Sequence, residues 1–290
     1  MFPADPSSKV YFVPRAAATP SAAFIATLAV LLALGHAVLG LTATTEKSMT
    51  ADEIAHLLAG HTYNSRGDYR LHPENGNLPQ RWAAWPLSLA GAPPPDADSR
   101  DWRNADVWRL GHAFFYTGNL AVEWALFAGR GMITLFSAAT GLIVFWWSRR
   151  LFGLRGAFLS LILFAFCPAL LAHGALATSD AVMTFFFLAA TTAWWLHLER
   201  PGPSWALVSA LTLGLACVAK FSALLLGPIF ALSGAAWLVQ HRATAGWRAP
   251  LARLARSAVL HVIVAWAVIW TFYGWRFSAF APDAVRSEEH

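Results

Sequence analysis

Long stretches without a formal charge dominate the chain, and each has the length of a bilayer-spanning helix. Seven stand out, at 16–45, 131–148, 156–179, 181–198, 201–219, 221–240 and 257–275. A hydrocarbon core takes roughly 20 helical residues, so the pattern predicts about seven transmembrane helices. A transmembrane barrel would alternate polar and apolar positions over segments of about ten residues. The block AVMTFFFLAATTAWWL at 181–196 is apolar throughout, which favours helix. The expected fold is an all-α membrane protein with a large first external loop that carries short surface helices.

Composition agrees with that class: 57% of the 290 residues are hydrophobic and 13% are charged, with a mean hydropathy of +0.47. The first run follows Lys9 and Arg15 as a signal peptide would. Its apolar core exceeds the usual signal length of about 7 to 15 residues, so it reads as an anchor. Orientation comes from the basic residues, which concentrate in short cytoplasmic loops. With the N-terminus inside, Lys9, Arg15, Arg149, Arg150, Arg155, Arg200, Arg242, Arg248, Arg253 and Arg256 all fall on the cytoplasmic side. The expected layout is a cytoplasmic segment at 1–21, a first helix at 22–43, an external loop at 44–130, six further spans over 131–275 and an external tail at 276–290. The net charge of +5 then reflects membrane topology, and no nucleic-acid partner is expected.

That topology sets Asp52, Glu53, Asp180 and Lys220 on the external side. Thr50 and Glu53 have capping-box spacing, and Ile54, Leu57 and Leu58 follow at helical period. A short helix along the membrane surface is expected there, with Asp52 and His56 on one face. Both acids also suit a helix N-terminus without any chemistry. Asp180 follows Thr178 and Ser179, all good N-cap residues. Lys220 sits in a tight outer turn, where it either snorkels or meets a lipid phosphate. Trp82, Trp85 and Leu87 read as a second amphipathic piece at headgroup level, and APPPDADSRDWRNAD reads as an exposed linker.

Four blocks in order carry a resemblance: the Asp52-Glu53 pair, then GDYRLHPENGNLPQRWAAWPL, then PALLAHGALATSDA, then LGLACVAKFSALLLGP. Together they resemble the class C glycosyltransferases that use polyprenyl-phosphate sugars, including protein mannosyltransferases, lipid A aminoarabinose transferases and lipopolysaccharide galacturonosyltransferases. The resemblance implies transfer of a sugar from a polyprenyl-phosphate donor to an envelope lipid, glycan or protein on the periplasmic side of the inner membrane. It maps a general base to Asp52 with Glu53 beside it, a second acid to Asp180, and the donor-phosphate cation to Lys220. Arg81 and Arg70 are further candidates for the phosphate. Where relatives carry Pro-Pro-Leu, this chain has Gly76-Asn77-Leu78. Such relatives usually continue with more spans, so a fragment, a minimal module or a non-catalytic relative stays open.

The residue types fit that chemistry. An acceptor hydroxyl must lose a proton as it attacks, which calls for a carboxylate. A leaving phosphate calls for a cation. A divalent metal ion is left open: Glu74, His56, His72 and His173 are ligand types, but no HExxH-like motif joins them. His36 and His261 lie within apolar runs and read as interhelical contacts, and Cys167 and Cys217 as core residues. The competing class is a transporter or lipid flippase, which would place its ionisable groups near the midplane.

Overall fold

The computed structural model describes residues 20–118 and 120–280. The expected cytoplasmic segment with Lys9 and Arg15, apart from its last two residues, lies outside them, as does most of the expected tail. Among the described residues every regular element is helical. Five helical segments among the described residues are long and apolar enough to cross a membrane: Ala22–Thr42, Val122–Ala165, Asp180–Glu199, Phe221–His241 and Arg248–Phe272.

Helix α1 (Ala22–Thr42) starts where the Ser21 hydroxyl accepts the Phe24 N–H at 3.2 Å. It buries a narrow stripe, Ile25, Ala29, Ala33, His36 and Gly40, against the rest of the bundle. Phe24, Leu31 and Val38 point outward and stay exposed, as a lipid-facing side would. The segment between α1 and the next long helix folds as α2 (Ala51–Arg66), α3 (Asn77–Ala83), α4 (Trp85–Leu89), α5 (Arg100–Arg103) and α6 (Val107–His112), which a π-turn at Ala113–Thr117 extends. Helix α7 (Val122–Ala165) follows, then α8 (Pro168–Gly174), α9 (Asp180–Glu199), α10 (Pro203–Ala219), α11 (Leu226–Ala245) and α12 (Arg248–Phe272).

Three expectations need correction. The run at 156–179 is not one helix, because α7 stops at Ala165 and Pro168 opens α8. Proline lacks the N–H that would continue the ladder. The first carbonyl this break frees, Ala165 O, is met by His36 Nδ1 at 3.0 Å, while His36 Nε2 meets Ser137 Oγ at 2.8 Å. His36 is thus an interhelical tie, as is His261 between Ser257 O and Ser209 Oγ. Second, α7 begins nine residues before 131, so Arg130 belongs to a helix and not to a loop. It turns at Gly153, whose φ of 72° only glycine adopts at little strain, close to Arg149, Arg150 and Arg155.

Third, α2 does not lie on the surface. Every residue from Ala55 to Tyr63 is buried, because α3, α4 and α6 pack around it and Leu57 meets Gly129 of α7. It is the core of a cap at one end of the bundle. The proposed linker contributes too: Trp102 is buried under the guanidinium groups of Arg66 and Arg70, at 5.3 and 4.8 Å.

Candidate active site

The cap is tied to the spans by one buried ion pair. Glu53 is fully buried, and its Oε1 accepts Arg130 Nε–H at 2.8 Å and the Ala177 N–H at 3.0 Å. Its Oε2 accepts Arg130 Nη2 at 2.8 Å, the Thr50 N–H at 2.9 Å and the Thr50 hydroxyl at 3.1 Å. The Thr50 N–H bond is the expected reach of Glu53 back to the helix start. Arg130 also donates to the carbonyls of Thr44, Lys47 and Ser48. Burial alone would raise the Glu53 pKa, but Arg130 and the two backbone N–H groups outweigh it and hold the carboxyl below its ordinary value. One carboxylate therefore joins the connector after α1, the start of α2, α7 and the loop before α9.

Asp52, the next residue back, is exposed. One turn along, His56 is buried, and its Nδ1–H donates to the Asp52 carbonyl at 2.8 Å. That bond leaves Nε2 as the lone-pair nitrogen, and it finds no hydrogen-bond partner among the described residues. Burial pushes the His56 pKa down to about 4, helped by His72 and resisted by the negative charges of Asp52 and Asp180. The imidazole is neutral at pH 7, and it feels both carboxylates. The His72 ring meets it edge-on at 4.9 Å. Asn75 donates to His72 Nε2 at 2.8 Å, which leaves the proton on Nδ1; Glu74 Oε1 lies 3.0 Å from Nδ1 without hydrogen-bond alignment.

The loop that carries His72 and Glu74 reaches the spans at Gly76. A Cβ there would lie 2.0 Å from Ala219 O, so only glycine permits the approach to the end of α10. The next residue is Lys220, whose Nζ donates to Asp180 Oδ1 at 2.5 Å. Asp180 is the first residue of α9, with Ser179 at the N-cap position, and its carboxylate is spent on Lys220 rather than on capping. The pair is half-exposed, and Asp180 lines a small cavity together with His173, Ser137 and Thr140. Thr140, Phe164 and Thr184 continue from this mouth into an apolar groove of about 520 Å³, walled by Phe187, Leu188 and Ile229.

Two candidate cations are committed elsewhere. Arg70 is buried, bonded to both oxygens of Asp68 at 3.0 Å. Arg81 donates to Asn64 Oδ1 at 2.9 Å and to Phe272 O at 3.4 Å. His173 is exposed at the mouth with Asp180. No group of three or more His, Cys, Asp or Glu side chains among the described residues is arranged to hold a metal ion. Sequence reasoning missed Arg130 and Asn75. The signal for Arg130 was present: a lone arginine in ALFAGRGMITL must find an acid, and Glu53 is an acid without a basic neighbour in sequence.

No curated protein compared with the chain matches it. A family model does, the one described as dolichyl-phosphate-mannose-protein mannosyltransferase, over residues 112–270. The matched segment contains Arg130, Asp180 and Lys220, while Asp52 and Glu53 precede it. Because it takes in more than half of the chain, with the mouth pair and the spans around it, the chain belongs to the dolichyl-phosphate-mannose-protein mannosyltransferase family, a family of membrane glycosyltransferases.

Proposed function

We propose that this protein transfers a sugar from a polyprenyl-phosphate donor to an envelope lipid, glycan or protein acceptor on the external face of the inner membrane. The N-terminus is cytoplasmic in this reading, which the distribution of Arg149, Arg150, Arg155, Arg200, Arg248, Arg253 and Arg256 supports. The observation that carries it is convergence. The start of α2 with Asp52, the start of α9 with Asp180 and the end of α10 with Lys220 meet at one end of the bundle, joined through Glu53, His56 and Gly76.

In the proposed reaction Asp52 takes the proton from the acceptor hydroxyl as its oxygen bonds to the anomeric carbon. The bond from that carbon to the phosphate oxygen breaks, and polyprenyl phosphate leaves with the electron pair. Lys220 stabilises the charge on the leaving phosphate. An exposed ion pair is worth about 0–1 kcal/mol, so a lipid phosphate readily competes with Asp180 for the ammonium. The groove below Asp180 suits the polyprenyl chain. Glu53 has no free oxygen lone pair for proton transfer in this scheme and acts by holding α2 in place.

The test is Asp52→Asn. Loss of a positioned general base lowers turnover by about 10²–10⁴-fold, while binding of a polyprenyl-phosphate sugar measured on the purified protein stays unchanged. Undiminished transfer by the variant would remove Asp52 from the mechanism.

A further inference from the structure

A further cavity, of about 600 Å³, is lined by Arg130 of the Glu53–Arg130 pair. Tyr116, Trp124 and Phe127 form an aromatic wall, Glu46, Lys47 and Glu123 ring the opening, and Arg130 closes the back. We infer that this cavity seats the acceptor, and that the acceptor is a lipid-anchored molecule whose headgroup bears hydroxyl or amine donors. The inference rests on the transferase reading above.

Three observations carry it. Position comes first: α1 ends at Thr42 and α7 begins at Val122, so the cavity opens at the outer ends of two spans, the level where headgroups begin and where Trp and Tyr are favoured. Just below, α1 presents Leu34 and Val38 outward, an apolar surface along which an acyl chain can lie. Chemistry comes second. Carboxylates accept from hydroxyl or ammonium groups, aromatic faces take an ammonium or the apolar face of a sugar ring, and Lys47 suits a headgroup phosphate. Arg130 adds little net charge, since Glu53 neutralises it. Reach comes third. Met49 lines the cavity and Asp52 follows three residues later. Three residues of chain span at most about 11 Å, so the wall of the cavity and the base lie within about one headgroup's length of each other. The volume is that of a small-molecule site, and among the described residues no strand edge offers itself to an extended peptide.

The test uses native membranes. A photo-crosslinking benzoyl-phenylalanine replaces Phe127, with the same replacement at the lipid-exposed Leu163 as reference, and adducts are identified by mass spectrometry. The expected result is an adduct at 127 enriched in a lipid with a hydroxyl- or amine-bearing headgroup, in the wild-type background and in Asp52→Asn alike. Peptide adducts, or a lipid profile equal to that at 163, overturn the inference. In parallel, membranes receive a radiolabelled polyprenyl-phosphate sugar. Trp124→Ala, and separately the milder Glu123→Gln, should lower solvent-extractable labelled product roughly tenfold without loss of donor binding, as expected when about 1–2 kcal/mol of headgroup contact is removed. Label in the protein fraction, or wild-type transfer by both variants, also overturns it. The two readings fail separately: an active Asp52→Asn breaks the mechanism, whereas an inactive Asp52→Asn beside unaffected Trp124 and Glu123 variants breaks only the cavity assignment.

Discussion

The protein contains two ion pairs between a helix-start acid and a distant cation, and they do opposite work. In the cap, Glu53 and Arg130 have side chains 0% and 2% exposed and together satisfy the backbone of three separate segments. At the mouth, Asp180 and Lys220 are 52% and 38% exposed and touch mainly each other. Burial makes the first pair impossible to exchange, because either partner left alone is a charge out of water. Exposure makes the second pair cheap to open. A strut and a handle are thus built from the same functional groups.

The sharpest way to break this contrast is Arg130→Met. Leaving Glu53 buried and unpaired is expected to remove about 3–5 kcal/mol of stability, and adding Glu53→Leu should restore only part of it, because the backbone groups that the pair satisfies stay unpaired. Thermal unfolding in detergent measures both, and a single variant as stable as wild type would end the strut assignment. Lys220→Met tests the other pair. Transfer should fall by about 10²–10³-fold, the size seen when a group that stabilises developing charge is lost, with no resolvable change in melting temperature. A variant that melts early but turns over normally would reverse the assignment.

The smallest effect sharpens the comparison through pH. The His56 pKa is depressed to about 4 by burial, so an unfolded chain binds a proton there that the folded cap refuses. Stability contributed by the neutral ring is present above about 6.5 and is lost as pH falls toward 4. Glu53, also depressed, holds its contribution until pH falls below the ordinary carboxylate range. Melting temperature should therefore decline between pH 6.5 and 5, and His56→Gln should flatten that slope. Burial lowers the His61 pKa in the same direction, so some slope will remain.

Several features were legible in the chain itself. The apolar runs marked where the long helices lie, Thr50 and Glu53 marked the start of α2, and Asp180 and Lys220 stood out as charges beside apolar helices. The break at Cys167–Pro168 was also written there, yet run length overrode it. Other features were not legible. Arg70 stood as a further candidate cation behind Lys220, but Asp68 and Trp102 enclose it. Ile54, Leu57 and Leu58 suggested a one-sided helix, whereas α2 is wrapped on nearly all sides. A stripe counts only residues that are apolar, so it misses His56, His61 and Thr62, which are buried with a hydrogen bond to the Asp52, Ala92 and Ala59 carbonyls respectively.

Hydrophobicity and helix signals act over a few turns, and for this reason the sequence alone determined a helical membrane protein with charged residues gathered at the ends of its spans. Which charges meet is a long-range matter. Glu53 and Arg130 are 77 residues apart, and Asp180 and Lys220 are 40 apart. Only the packing of α2, α7, α9 and α10 decided that one pair is sealed and the other open, because the surrounding atoms set how much water each charge keeps.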